Sequence, residues 1–348
     1  MMQNAGGVKP YHGGTFWTNL FAVSQILMSY ASLIGSTLNY AADYTMEFYT
    51  GVSQWQAWAY AGMNAALVSS AVVAYWKRHY IYAFFVAWFY VFLLPTSHIF
   101  PLAQLLADRY AFLSSLSWCV LLGFLLARLW CWKLQSGRFS PEFPSLVAGA
   151  LILLIVMSYG YMTRVQNDIW QNSQTLWEDT LAKYPDSSPG NVNLAAIYLQ
   201  QMRFSEVQEL CLAAIKAKPY DYLAISNLAL AQMMMGQYDN AINNYQQALK
   251  LKGDLHKAWR GLARAYWLKM DYPRSYVLHA KLINEGLAAN RIDGLYMLYH
   301  LGFSAWKIGK KDEAEKYFDL AMKQSDENPA LLKDLALAYT SMGDLPKA

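Results

Sequence analysis

Hydrophobic positions follow two different rhythms along this chain. From Phe16 to Thr163 they come in long blocks nearly free of charge. Trp55–Trp76 has 22 residues without Lys, Arg, Asp or Glu, and about 20 apolar residues suffice for a helix to cross a bilayer core. Tyr80–Leu94 is shorter, uncharged and rich in Phe and Trp. Phe112–Trp130 carries one Arg, near its end, and Phe143–Thr163 contains LVAGALILLIVM. Phe16–Ile34 is also uncharged but dotted with Thr, Asn, Ser and Gln, and reads as a less apolar fifth span. Aromatic residues gather at the block edges (Trp55 and Trp58, Tyr75 and Trp76, Trp130 and Trp132, Tyr159 and Tyr161), as amphipathic rings do at a membrane interface.

Beyond residue 188 the blocks give way to short amphipathic helices that repeat. Leu194, Leu228 and Leu262 recur 34 residues apart, as do Ala195, Ala229 and Ala263, and Phe204, Tyr238 and Tyr272. A period of 34 is that of tetratricopeptide (TPR) helix pairs. Small Ala residues let the two helices of a pair approach, large Leu, Tyr and Phe fill the space between pairs, and Gly236 marks a turn. A fourth repeat follows after a five-residue insertion, with Leu301, Gly302, Gly309, Ala314, Phe318 and Ala321. A fifth starts at Pro329 with Leu335, Ala336, Tyr339, Gly343 and Ala348, and reads as truncated within its second helix. Stepping back by one period, 171-QNSQTLWEDTLAKYP-185 reads as the second helix of a pair. Its first helix would be the last span, extended through Val165–Trp170.

The expected fold is therefore all-α. A membrane helix bundle of four to five spans occupies 1–165 and a TPR solenoid occupies 166–348. The solenoid comprises a half repeat at 171–187, repeats near 188–221, 222–255, 256–294 and 295–328, and a truncated one at 329–348.

Charge separates the same two parts. Residues 1–165 hold eight basic and four acidic side chains, and the remainder holds 20 of each. The net charge of +4 thus sits in the loops of the first part and forms no nucleic-acid patch. Lys77 and Arg78 lie in one loop and Arg128, Lys133 and Arg138 in another, whereas loop 35–54 has no basic residue and loop 95–110 only Arg109. Basic loops stay on the cytoplasmic side. The last span then runs outward, and everything after Arg164 is expected on the periplasmic or luminal side of a bacterial inner or endoplasmic-reticulum membrane. The N-terminus has no signal-peptide pattern. Cys119, Cys131 and Cys211 show no metal or disulfide spacing, and Cys119 and Cys211 read as small apolar fillers. The histidines are scattered, no HExxH, GxSxG or Walker loop occurs, and no metal or cofactor is implied.

A TPR array takes extended peptides or helices in its concave groove. Asn193 and Asn227 share one repeat position, where an amide can pair with a peptide backbone or brace a turn. That ladder resembles the one in O-GlcNAc transferase TPRs, but its next equivalents are Gly261, His300 and Asp334. Arg260, Arg264, Trp267, Tyr299 and Trp306 are further groove candidates, and Met233, Met234 and Met235 read as core and groove lining.

The run LLPTSHIFPLAQLLADRYAFLSS is followed by an apolar helix, a basic turn, a last span and 170-WQNSQTLWEDTLAKYP-185 leading into TPRs. This order resembles the transmembrane-and-TPR-containing protein O-mannosyltransferases and their bacterial relatives. Leu94–Pro95, Ser97, Asp108–Arg109–Tyr110 and Ser114 match the family motif, while His98 and Phe112 depart from it. The resemblance implies the GT-C glycosyltransferase fold, a polyprenyl-phosphate-linked sugar as donor, a protein hydroxyl as acceptor, and TPRs on the side of the active site. The family's catalytic acids lie in the first external loop, and this chain corresponds only to the later spans. Asp43 and Glu47 are the acids of an external loop here, but they do not match that motif. Under the resemblance Arg109, with Asp108 and His98, would face the donor's lipid phosphate, since a planar guanidinium suits that anion. The alternative reading is a non-enzymatic, membrane-anchored TPR scaffold for exported or envelope proteins.

Overall fold

The computed structural model describes residues 11–35, 40–99, 106–132, 142–288, 290–324 and 328–342. Lys133, Arg138, Gly343 and Ala348, used above, lie outside them. All regular structure among the described residues is helical. The chain forms two compact units, Met1–Gly190 and Asn191–Ala348.

The first unit contains α1 (Phe16–Gly35), α2 (Trp55–Trp76), α3 (Tyr80–Leu93), α4 (Asp108–Trp130), α5 (Phe143–Ile169) and α6 (Ser173–Lys183). Three of the five expected spans, α2, α4 and α5, are long and apolar enough to cross a bilayer, and only 6%, 17% and 11% of their most apolar windows are buried in the protein. Apolar surface left open on that scale calls for a lipid or protein cover. Of the other two expected spans, α3 is short, with 14 residues, roughly 21 Å of helix against a core of about 30 Å. Yet Arg78 just before it and Arg128 at the end of α4 line one cavity, so α3 carries the chain back between α2 and α4. Helix α1 is a buried element, with nine buried residues including Asn19 and Gln25. Its polar residues serve the loops. Asn19 Nδ2 donates to the His98 carbonyl at 2.8 Å, and Gln25 Nε2 donates to the Glu47 carbonyl at 2.9 Å. Gln25 Oε1 accepts from the Tyr49 N–H at 3.1 Å.

Helix α4 starts at Asp108, four residues before the expected Phe112, with its acid in the first turn and Arg128 in the last, the arrangement that suits the helix dipole. Helix α5 runs on to Ile169, and α6 follows it within the same unit. The Thr175 hydroxyl donates to the Ile169 carbonyl at 2.7 Å, so the half repeat does follow an extended span. The boundary expected at 165 falls inside α5, and the two units divide at Gly190.

The second unit is built of helix pairs. After α7 (Ser188–Gln200) come α8 (Phe204–Ala217), α9 (Tyr222–Met234), α10 (Tyr238–Leu251), α11 (His256–Leu268), α12 (Tyr272–Asn284), α13 (Arg291–Lys307), α14 (Lys311–Gln324) and α15 (Pro329–Met342). Ala195, Ala229 and Ala263 are fully buried, and Leu194, Leu228 and Leu262 nearly so. Each pair turns through one left-handed residue: Met202, Gly236, Met270 and Gly309. Asp221, Asp271 and Asn290 cap α9, α12 and α13 with side-chain oxygens, satisfying N–H groups the helices leave open. The insertion between repeats appears as a longer α12–α13 connection and a 17-residue α13, against 13 residues in α9 and α11.

Candidate functional site

Within the second unit a cavity of about 630 Å³ opens between the first helices of successive pairs. Its lining includes Arg260, Arg264 and Trp267 of α11, Tyr299 and His300 of α13, and Asp334 of α15. Four of the seven expected groove residues, Arg260, Arg264, Trp267 and Tyr299, thus meet in one place. The other three do not line it. Trp306 packs edge-on against Phe303, ring centroids 5.4 Å apart, under the Lys307 ammonium. Asn227 is buried and accepts from Lys257 Nζ at 3.4 Å, and Asn193 is exposed elsewhere on the unit. The three positions where the asparagine pattern breaks, Gly261, His300 and Asp334, all line the cavity.

Gly261 shows why the pattern changes. A Cβ there would lie 2.3 Å from Cζ of Tyr245, whose ring occupies the space an asparagine would need. The missing side chain on α11 is replaced by a ring reaching across from α10. Beyond it, His300 is buried and lies against Trp267, ring centroids 4.4 Å apart. His279 sits behind, 5.3 Å from His300 by ring centroids. Its Nδ1 lies 3.0 Å from the Ser275 carbonyl, which places its proton on that nitrogen. Burial holds His279 down to about 4 and His300 well below the ordinary range, so both imidazoles are neutral at physiological pH. Burial, and then the Asp334 carboxylate, push Tyr299 up to about 12.

The cations of the cavity differ in their engagement. Arg260 Nε is 3.2 Å from Asp293 Oδ2, and Arg260 Nη1 donates to the Leu287 carbonyl at 3.1 Å. Lys257 is lowered from its ordinary pKa, by burial first and then by Arg260. Arg264 is exposed and makes no ion pair among the described residues. The indole N–H of Trp267 is buried and has no acceptor among the described residues. A buried donor left unpaired costs about 1–3 kcal/mol, which an incoming carbonyl or carboxylate would relieve. Lys257, Asp293, Tyr296 and His279 also line this site and were not singled out from the sequence. Their repeat spacing, near the Arg260 and His300 positions on neighbouring helices, was the available signal.

In the first unit the motif residues turn to different partners. The Tyr44 hydroxyl donates to the Asp108 carboxylate, and burial together with that carboxylate raises the Tyr44 phenol. Arg109 faces outward, its guanidinium 4.9 Å over the Tyr110 ring. His98 is buried with a left-handed backbone, φ 62°. Asp43 Oδ2 accepts from the Ser187 hydroxyl at 2.7 Å, while Glu47 is exposed. Loop 40–44 is further fixed by α6. Lys183 Nζ donates to the Tyr40 carbonyl at 2.7 Å, and the Ala42 N–H donates to Thr180 Oγ1 at 3.2 Å. Asp43 thus helps bind the half repeat to this loop.

Comparison with known proteins agrees with the second unit. A family model described as TPR repeat matches residues 229–269, and one described as Tetratricopeptide repeat matches 295–328. The chain therefore contains TPR repeats. No curated protein matches it. Among solved structures, MamA is 18% identical over 48% of this chain and 94% of its own, with a TM-score of 0.39. YrrB, described as a TPR protein with an unusual peptide-binding site, is 10% identical over 49% of this chain and 86% of its own, with a TM-score of 0.41.

Proposed function

We propose that this protein is a membrane-anchored TPR scaffold that holds a protein partner by a segment laid in the α11–α13 cavity. The observation that carries the reading is the pairing of an uncompensated Arg264 with an orphan Trp267 N–H in one concave site. An aromatic wall beside a cation and an open donor suits a peptide that offers backbone carbonyls and a carboxylate. The three apolar, outward-facing helices α2, α4 and α5 support the anchor. The loop charges support an extracytoplasmic position for the TPR unit.

Sugar transfer rests on the resemblance of the run from Leu94 to Ser114, and of the element order around it, to the glycosyltransferase family. The external-loop acid Asp43 does not match that family's motif and is engaged by Ser187, and the family models that match cover TPRs only. The scaffold reading is therefore preferred.

A peptide-display library panned on the full chain in detergent tests it. Enriched peptides should bind Arg264→Glu and Trp267→Ala at least about tenfold more weakly, the loss of one charge-assisted contact, and Trp306→Ala unchanged. Equal binding to all three variants would overturn the assignment of the site.

A further inference from the structure

A second cavity, in the first unit, is unrelated to the TPR groove. It has a volume of about 930 Å³, at the upper end of the roughly 300–1,000 Å³ typical of ligand sites. Helices α1 to α4 wall it with apolar side chains, among them Leu67, Phe89, Leu121 and Leu125, and Arg78 and Arg128 both line it. One arginine follows the end of α2 and the other sits in the last turn of α4. Neither guanidinium makes a hydrogen bond or ion pair among the described residues.

The dimensions are those of one leaflet. Leu67 precedes Arg78 by 11 residues and Ser117 precedes Arg128 by 11 residues, which is about 16 Å along each helix. Half of a hydrocarbon core of about 30 Å is about 15 Å. The cavity thus runs from a pair of guanidiniums to about the depth of one acyl chain. At its inner end the Ser117 hydroxyl is buried and has no hydrogen-bond partner among the described residues, so the protein does not close the space on itself. By the loop-charge rule Lys77, Arg78 and Arg128 lie on the cytoplasmic side, where anionic lipids gather and basic pockets between helices bind their headgroups.

We propose that this cavity holds an anionic phospholipid, its phosphate between Arg78 and Arg128 and an acyl chain along α3 and α4. The site is at the opposite membrane face from Asp108 and Arg109, and it rests on the reading of α2, α3 and α4 as successive crossings. The lipid would fill the space beside the short α3 and complete the lipid-facing wall.

The test uses the full chain in detergent, with thermal unfolding followed on adding phosphatidylglycerol, phosphatidylcholine of the same acyl chains, or inorganic phosphate. Phosphatidylglycerol should raise Tm by several degrees, with phosphatidylcholine and phosphate far less effective. Equal effects of the two lipids, or of free phosphate, would overturn the proposal. In the double variant Arg78→Gly with Arg128→Gln the lipid concentration for half-effect should rise about tenfold or more. Glycine suits the left-handed backbone at 78, φ 62°, so this variant removes charge without straining the turn. Leu121→Trp keeps both arginines and fills the apolar part, and it should lose the response. A full response in either variant contradicts the site. Alkaline extraction of membranes separates the two ideas. Release of the wild-type chain defeats the anchor itself, whereas a retained chain with no preference for phosphatidylglycerol defeats only the lipid site.

Discussion

At the scale of single residues, two positions show how chemistry absent from the sequence pattern is supplied by packing. Gly261 breaks the asparagine series, yet it is where Tyr245 must lie. Replacing a helical Gly by Ala ordinarily gains about 1 kcal/mol. Here the new Cβ would meet the ring at 2.3 Å, and overpacking of this kind costs about 1–3 kcal/mol. Gly261→Ala should therefore destabilise the second unit in denaturant unfolding, and adding Tyr245→Leu should restore most of the loss. A stabilised single variant would contradict the packing. His279 makes a second prediction. The folded state holds it neutral down to pH about 4, while the unfolded chain takes up its proton below about 6.5. The unfolded state then binds more protons between those values, so stability falls as pH drops through that window, on the order of 3 kcal/mol in full. His300 is depressed in the same direction. Unfolding midpoints at pH 7 and 5 should differ much less in His279→Leu than in the wild type, and an unchanged difference would contradict the assignment. The groove candidates Arg264, Trp267 and Tyr299 were legible because helical spacing places them on one face. Lys257 and His279 were not, because their place depends on which neighbouring helix they face. Cys211 is the filler expected of it, buried and with its thiol pushed up to about 12 by burial. Cys119 instead faces outward.

At the scale of elements, length and period read true where one signal dominated. Helix α2 begins and ends at the expected Trp55 and Trp76, and the TPR helices fall at the expected repeats. The pattern is ambiguous where hydrophobicity has two possible causes. An uncharged block can face lipid or be buried in protein, and α1 is the second kind, which its Asn19 and Gln25 hydrogen bonds explain. Apolarity alone starts the span at Phe112 and leaves Asp108 in the loop, whereas a helix dipole welcomes an acid in the first turn. The pair turns offer a local test. Met202 and Met270 adopt the left-handed conformation that Gly236 and Gly309 adopt without a side-chain penalty, a conformation costing other residues about 1 kcal/mol or more. Met270→Gly should raise the unfolding midpoint of the second unit by up to about 1 kcal/mol in free energy, the added freedom of the unfolded chain offsetting part of the gain. A clear loss would mean that the exposed Met270 side chain contributes more than its backbone costs.

At the scale of the whole molecule, a charge-poor part with outward apolar helices is joined in one chain to a TPR unit of ordinary charge. The motif around Asp108, Arg109 and Tyr110 suggested an enzyme, but its residues have structural partners in the first unit. Asp108 turns to Tyr44, Arg109 to the Tyr110 ring, and Asp43, beside Tyr44, to Ser187. A motif read along the chain cannot show those partners. The TPR unit, by contrast, concentrates its candidates in one cavity. Protease applied to the extracytoplasmic face should digest the chain beyond Arg164, and protection there would reverse the proposed topology. The most direct test of the scaffold places a photo-crosslinking residue at Tyr299, which lines the cavity, and separately at Trp306, which does not, in the full chain within native membranes. The scaffold predicts a discrete protein adduct from position 299 that Arg264→Glu abolishes, with none of that size from 306. The same adduct from both positions, or one indifferent to Arg264→Glu, would contradict it.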